Sequence, residues 1–248
     1  MTIDVIAAAR RRIRRLVIAA LVGIVVVAAC VYPAGLYVNA HLEDGQRATP
    51  AATVGPSAGL EVADALLPAD VASTRLAGVA LPTSPETGPA RTVGALAGGF
   101  AQSRAGAVVA ALHLLVRTAP QVGPAVFEPT IAEQVTGEHA TAMGSVVADL
   151  YRRGAARAGL SYGQPLGDLP ARVVGIRIDA YTEAEAHLSV LTAAPDATGV
   201  SRYAATAVTL VWSDGDWRLL APPGGSWDDL VRIVDPAQAA GYTPITGR

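Results

Sequence analysis

The chain has 248 residues, 51% hydrophobic, 16% charged and 5% aromatic, with a formal net charge of −2. That composition excludes a disordered polyelectrolyte and offers no basic excess that would call for nucleic acid as a direct partner. A single cysteine excludes an internal disulfide framework and a multi-cysteine zinc site. All 19 basic residues are arginine, a signature of GC-rich coding that carries no mechanism.

Residues 1–15 form a basic segment in which Arg10, Arg11, Arg12, Arg14 and Arg15 stand directly before an apolar run. Residues 16–40 contain no Asp, Glu, Lys or Arg. As a helix this run is about 37 Å long, enough to cross a hydrocarbon core of roughly 30 Å. Tyr32 and Tyr37 fall near its outer end, where amphipathic rings are favoured. The arginines orient the expected span with its N-terminus in the cytoplasm, so everything after residue 40 is expected outside it. Charge follows the same division: +4 before Leu16, and −6 after Ala40. Two other readings share that compartment. One is a cleaved signal peptide, whose apolar stretch is usually shorter. The other is a lipoprotein, because Val27-Ala28-Ala29-Cys30 resembles a processing box; against it, the apolar pattern continues through Val31, Leu36 and Val38.

Residues 41–91 read as a flexible linker. They are rich in Ala, Pro, Gly, Thr and Ser, and Pro50, Pro56, Pro68, Pro82, Pro85 and Pro89 interrupt any long element. Residues 92–248 suffice for one domain with its own core. A helix is predicted over 104–118, with Val108, Leu112, Leu115 and Val116 at helical spacing and Pro120 as its stop. Its Ala107, Ala110 and Ala111 allow close approach of other elements, which makes it central. Thr130-Ile131-Ala132-Glu133 has the form of a capping box at a helix start. Thr136 is placed to cap a further helix with Ala140, Met143, Val147, Leu150 and Gly154 in one stripe, closed by Gly159.

Beyond Pro170 the period becomes two. Val174, Ile176, Ile178 and Ala180 alternate with Arg177, Asp179 and Tyr181, and further strands are expected over 187–193 and 203–212. In Trp212-Ser213-Asp214-Gly215-Asp216-Trp217 the Asp-Gly pair suits a two-residue hairpin turn and sets Trp212 opposite Trp217. Helices followed by a meander of about four strands predict an α+β domain, with about three helices on one face of a curved antiparallel sheet.

Reactive constellations are scarce, and the expected catalytic, cofactor and metal residues are none. His41, His113, His139 and His187 are scattered without ligand spacing. Gly159-Leu160-Ser161-Tyr162-Gly163 has the letters of a nucleophile elbow, but a helix precedes it where that chemistry needs a strand. Gly224-Gly225-Ser226 lacks the lysine of a phosphate loop and meets Asp228 and Asp229; a strand exit, with Ser226 capping a short helix, fits better. Trp212, Trp217 and Trp227 read as packing residues. An enclosed apolar pocket remains the enzyme or ligand-binding alternative, with Tyr151, Asp149 and Asp179 as candidates by residue type alone.

The segments Pro124-Ala125-Val126-Phe127-Glu128-Pro129-Thr130 and Asp214-Gly215-Asp216-Trp217-Arg218-Leu219-Leu220-Ala221-Pro222-Pro223-Gly224-Gly225, with the closing Gly241-Tyr242-Thr243-Pro244-Ile245-Thr246-Gly247-Arg248, carry a resemblance. From about Gly106 onward the chain resembles single-pass membrane proteins of conjugative and integrative elements in high-GC Gram-positive bacteria. Such proteins look like the assembly subunits of type IV secretion channels. The resemblance implies a cystatin-like, nuclear-transport-factor-2-like domain outside the cytoplasm and a non-enzymatic scaffold role in DNA transfer. It also implies other channel proteins and further copies of the chain as partners. It supplies no catalytic residues. An accessory subunit of a lipid-import complex is the alternative of the same architecture.

Overall fold

A computed structural model describes residues 66–67 and 71–245. The expected basic segment, the span over 16–40, Cys30, His41 and the first part of the linker lie outside the described residues. Among those described, no helix is long and apolar enough to cross a membrane.

The second half of the expected linker holds one hairpin, and a second begins at its last residue, Arg91. β1 (Ala72–Leu76) pairs antiparallel with β2 (Val79–Thr83), and β3 (Arg91–Val93) with β4 (Leu96–Gly98). The first turn is closed by Ala77 and Gly78 at φ 45° and 78°, the positive-φ pair that a two-residue hairpin requires. Val79 and Leu81 of β2 turn inward and are buried.

Three helices follow. α1 (Arg104–Arg117) starts at Ser103, whose hydroxyl accepts from the Gly106 amide at 3.1 Å, and stops at Thr118, whose hydroxyl donates to the Leu114 carbonyl. It is the central helix, as expected: Ala107, Val108, Val109, Ala110 and Ala111 are all fully enclosed. α2 (Pro124–Gln134) begins six residues ahead of the predicted capping box. Gly123, at φ 83°, turns the chain into Pro124, and a proline suits the first helical position because its missing N–H has no intrahelical acceptor. Thr130 is therefore interior, with its hydroxyl donating back to the Val126 carbonyl at 2.7 Å. Thr136 caps nothing; it lies in the short strand β5 (Val135–Thr136). α3 (Ala140–Ala158) starts at His139 and ends at Gly159 in the left-handed conformation, φ 65°.

The sheet is larger than the expected meander. β6 (Arg172–Tyr181), β7 (Glu185–Pro195), β8 (Ser201–Ser213) and β9 (Asp216–Leu220) run antiparallel, and β5 joins β9 in parallel. β10 (Val231–Val234) pairs with the first half of β8. After the one-turn helix α4 (Pro236–Ala239), β11 (Thr243–Pro244) closes the far edge on β6. The strand order is β11-β6-β7-β8-β9-β5, with β10 beside β8, seven strands in all. The expected cone of three helices on about four antiparallel strands, cystatin-like or nuclear-transport-factor-2-like, is thus corrected. The described domain is α+β with four helices and a mixed seven-stranded sheet. The predicted hairpin at Asp214-Gly215 is present, with φ 54° and 77°, Trp212 opposite Trp217 and their rings edge-on at 5.3 Å. Past Ser226 the chain forms a turn and then β10, not a short helix.

Both sheet faces are covered, unequally. On the helix side, Ile176, Leu188, Val190, Val208, Leu210, Trp217 and Leu219 join the three long helices and β2 in the main core. On the outer side, Leu191, Ala205, Val234 and Tyr242 form a separate small cluster. Register shifts between Val173 and Gly175 and between Ile178 and Ala180 divide β6 between the two faces. In consequence Val174, expected inward, packs in the outer cluster, and Tyr181, expected outward, packs on the main core.

Candidate functional site

The histidines do not converge. His113 is fully buried on α1, with Nε2 2.9 Å from the Pro82 carbonyl and its ring 5.6 Å from that of Phe100. Burial pushes its pKa down to about 4, against the raising effect of the Pro82 bond, with Arg117 adding to the lowering. His139 sits at the start of α3, 3.3 Å from the Glu138 carboxylate. His187 stands on the outer face of β7 between two groups: its Nδ1 lies 3.2 Å from the Thr209 hydroxyl and its Nε2 3.2 Å from Glu185. The β7–β8 register brings His187 opposite Thr209, a proximity that residue spacing along the chain does not reveal. Hydroxyl, imidazole and carboxylate in line have the order of a nucleophile relay. Here they lie on an open strand face, about half exposed. β7 is flanked by β6 and β8, so its amides are committed to the ladder and not free to hold an oxyanion. Among the described residues no group of three or more His, Cys, Asp or Glu is placed to hold a metal ion.

Tyr151, Asp149 and Asp179, the candidates by residue type, are separated. Tyr151 is buried; its hydroxyl accepts from the Gly163 amide at 2.9 Å and donates to the Gln164 carbonyl at 2.8 Å. That fixes the 159–163 loop as a helix exit. Ser161 there has its own amide bonded to the Gln164 side chain and lacks the preceding strand of a nucleophile elbow. Asp149 is exposed and pairs with Arg152 and Arg153 along α3. Asp179 receives Arg177 Nε at 2.6 Å and the Ser189 hydroxyl at 2.5 Å on the outer face. The Gly224-Gly225-Ser226 segment packs on the first turn of α3: a Cβ at Gly225 would lie 2.3 Å from the Met143 nitrogen. Close backbone contact accounts for that glycine without any phosphate.

Several polar groups on the helix side share their type of partner, a main-chain atom. Besides His113 and Tyr151, Arg117 donates to the Ala95 carbonyl in the β3–β4 turn at 2.5 Å. Gln134 donates to the Ala97 carbonyl at 2.8 Å, and Trp217 Nε1 to the Ala101 carbonyl at 2.9 Å. The Asp216 carboxylate accepts from the Gly99 and Phe100 amides at 2.6 and 3.0 Å, with Arg91 3.8 Å away. Each bond ties a hairpin or loop to a helix or to the sheet through a main-chain atom. Sequence reasoning missed this function of Asp216 because its partners lie more than a hundred positions earlier.

An open groove of about 490 Å³ runs between α2 and α3. Phe127, Ile131 and Val135 form its apolar wall, and Ala140, Gly144 and Ala148 face them. At one lip Glu128 accepts a bond from the exposed Tyr162 hydroxyl at 2.7 Å, which raises the phenol's pKa. The lining suits aliphatic side chains better than proton transfer.

Residues 41–244 match the model of a family described as a domain of unknown function, DUF8175. The chain belongs to that family, and the match begins within the segment read as linker. No curated protein and no solved structure matches it.

Proposed function

We propose that this DUF8175 protein is a non-enzymatic, single-pass membrane protein whose extracytoplasmic domain is an assembly subunit of a conjugative, type IV secretion-like DNA-transfer channel. The observation that carries the scaffold part is the direction of the polar side chains. His113, Arg117, Gln134, Tyr151, Asp216 and Trp217 all bond main-chain atoms and brace separate elements. Groups set for catalysis converge instead on a shielded reacting centre. The membrane and channel parts rest on the sequence: the arginine-flanked run over 16–40, and the likeness of the 214–225 and 241–248 segments to proteins of conjugative elements. They do not rest on the fold, since the cone expected from that likeness is replaced by a different sheet.

The test is photo-crosslinking in intact membranes from a reactive side chain placed at exposed Tyr162, with mass spectrometry of what is captured. Secretion-channel proteins together with self-crosslinks are the expected result. A strictly monomeric protein without membrane neighbours contradicts the proposal, and capture of lipid-transfer proteins replaces the channel with an importer. Reporter fusions at both ends test the orientation, with the N-terminus expected in the cytoplasm.

A further inference from the structure

The C-terminal segment crosses the outer face of the sheet, from β10 beside β8 to β11 on the opposite edge at β6. Its hold is slight. α4 buries no residue, with only Ala239 packed against the outer cluster; β11 pairs only Thr243 and Pro244, and Ile245 packs partly buried against the main core. Tyr242 is its buried anchor, beside Val234 at the end of β10, and the Ile245 amide reaches the Val174 carbonyl at 3.3 Å. The seat for Tyr242, by contrast, is shaped in detail. Gly175 leaves a notch: a Cβ there would stand 3.0 Å from the Tyr242 Cβ and 3.3 Å from the Thr243 carbonyl oxygen. The Arg177 guanidinium lies 4.9 Å from the ring centroid, and Arg232 donates to the phenol oxygen at 2.8 Å.

Every group of that seat stays behind when the strap lifts. Gly175 and Arg177 belong to β6, Leu191 to β7, Ala205 to β8 and Arg232 to β10, all upstream of the Asp235-Pro236 joint. We propose that residues 241–245 form an exchangeable strap, and that the β6 edge beside Gly175 takes the same segment of a second copy of the chain in its place. The occupant is defined by the contacts already made in one chain: an extended Gly-Tyr-Thr-Pro-Ile segment. Each copy carries one strap and one seat, so exchange is either reciprocal, closing a two-fold pair, or sequential, linking copies head to tail. Beyond the strap, β6 is unsuited to casual edge pairing, because its register shift at Ile178 and Ala180 distorts the ladder there.

Two differently tagged full-length forms test it. Tyr242→Ala removes the anchor and keeps the seat; Gly175→Val fills the seat and keeps the anchor. Co-expressed, they are expected to co-purify, through the second form's strap in the first form's seat. That pairing is lost when both forms carry Tyr242→Ala or both carry Gly175→Val. Failure of the mixed forms to associate overturns the proposal. The wild-type chain supplies a check independent of either variant. A labelled peptide of residues 238–248 is expected to bind it saturably, and the peptide with Tyr242→Ala is not. Absence of peptide uptake by the wild-type chain equally overturns the proposal.

Discussion

The two faces of the sheet are held by different means. On the helix side, Trp217, Tyr151, Phe127, Leu114 and Met143 are fully enclosed, and buried polar groups lock the surrounding hairpins. On the outer side, the strap is held by a small cluster of four buried residues with Ala239 packed against it, by a two-residue strand and by Ile245 against the main core, and its helix buries no residue. Opening free energies follow buried apolar contact. The helix face is therefore expected to unfold only with the whole domain, and the strap to open locally. Rigidity on one face and exchange on the other suit a domain that is positioned by its own framework and joins others by its edge.

The strongest way to break this contrast is Trp217→Ala. It removes a buried ring, its contacts with Trp212 and Tyr181 and its bond to Ala101. The expected loss is about 3–5 kcal/mol in global stability by urea denaturation. Acid strikes the same face through His113. Its folded pKa of about 4 lies below the unfolded 6.5, so the unfolded chain binds more protons between those values. Stability is therefore full above pH 6.5 and falls as the pH drops towards 4, by about 3 kcal/mol at most. Denaturation midpoints at several pH values read this slope, and His113→Gln flattens it. Asp216→Ala leaves the Gly99 and Phe100 amides without their acceptor, for an expected cost of about 1–3 kcal/mol and faster amide exchange at Gly99, Phe100 and the adjoining β3–β4 hairpin. At the weak end, Tyr162→Phe removes an exposed bond to Glu128 and is expected to stay within about 0.5 kcal/mol of the parent.

Much of the frame is readable from local chemistry. Asp214-Gly215 between two tryptophans specifies its hairpin unaided, and the alanines of α1 announce a close-packed central helix. The hairpins β1–β2 and β3–β4 escape notice because their strands are three to five residues long, too short for alternation to rise above the surrounding proline and glycine. Val79 and Leu81 were the available signal. Their burial depends on α1, which begins only at Arg104. In β6 the alternation is visible, but each bulge reverses the faces, so Val174 and Tyr181 exchange sides. The start of α2 was missed because the Gly123-Pro124 entry competes with the capping letters at Thr130 and Glu133, and a proline at the first helical position needs no side-chain cap. At the candidate site, the bracing roles of Asp216, Arg117 and His113 depend on pairings across the fold that no residue spacing encodes. The closing Gly-Tyr-Thr-Pro-Ile drew attention by its letters. Its physical reason, the Gly175 notch and the arginines around Tyr242, appears only once β6, β10 and the tail are brought together.

The contrast between the faces is tested most directly by native-state hydrogen exchange of the full chain across a urea series. The amides of Tyr242 and Ile245 are expected to exchange through a local opening with little urea dependence, and those of β7, β8 and α1 only by global unfolding. If the strap amides carry the same protection and the same urea dependence as β7 and β8, the strap is part of the single cooperative core. The division between a braced framework and an exchangeable edge is then wrong.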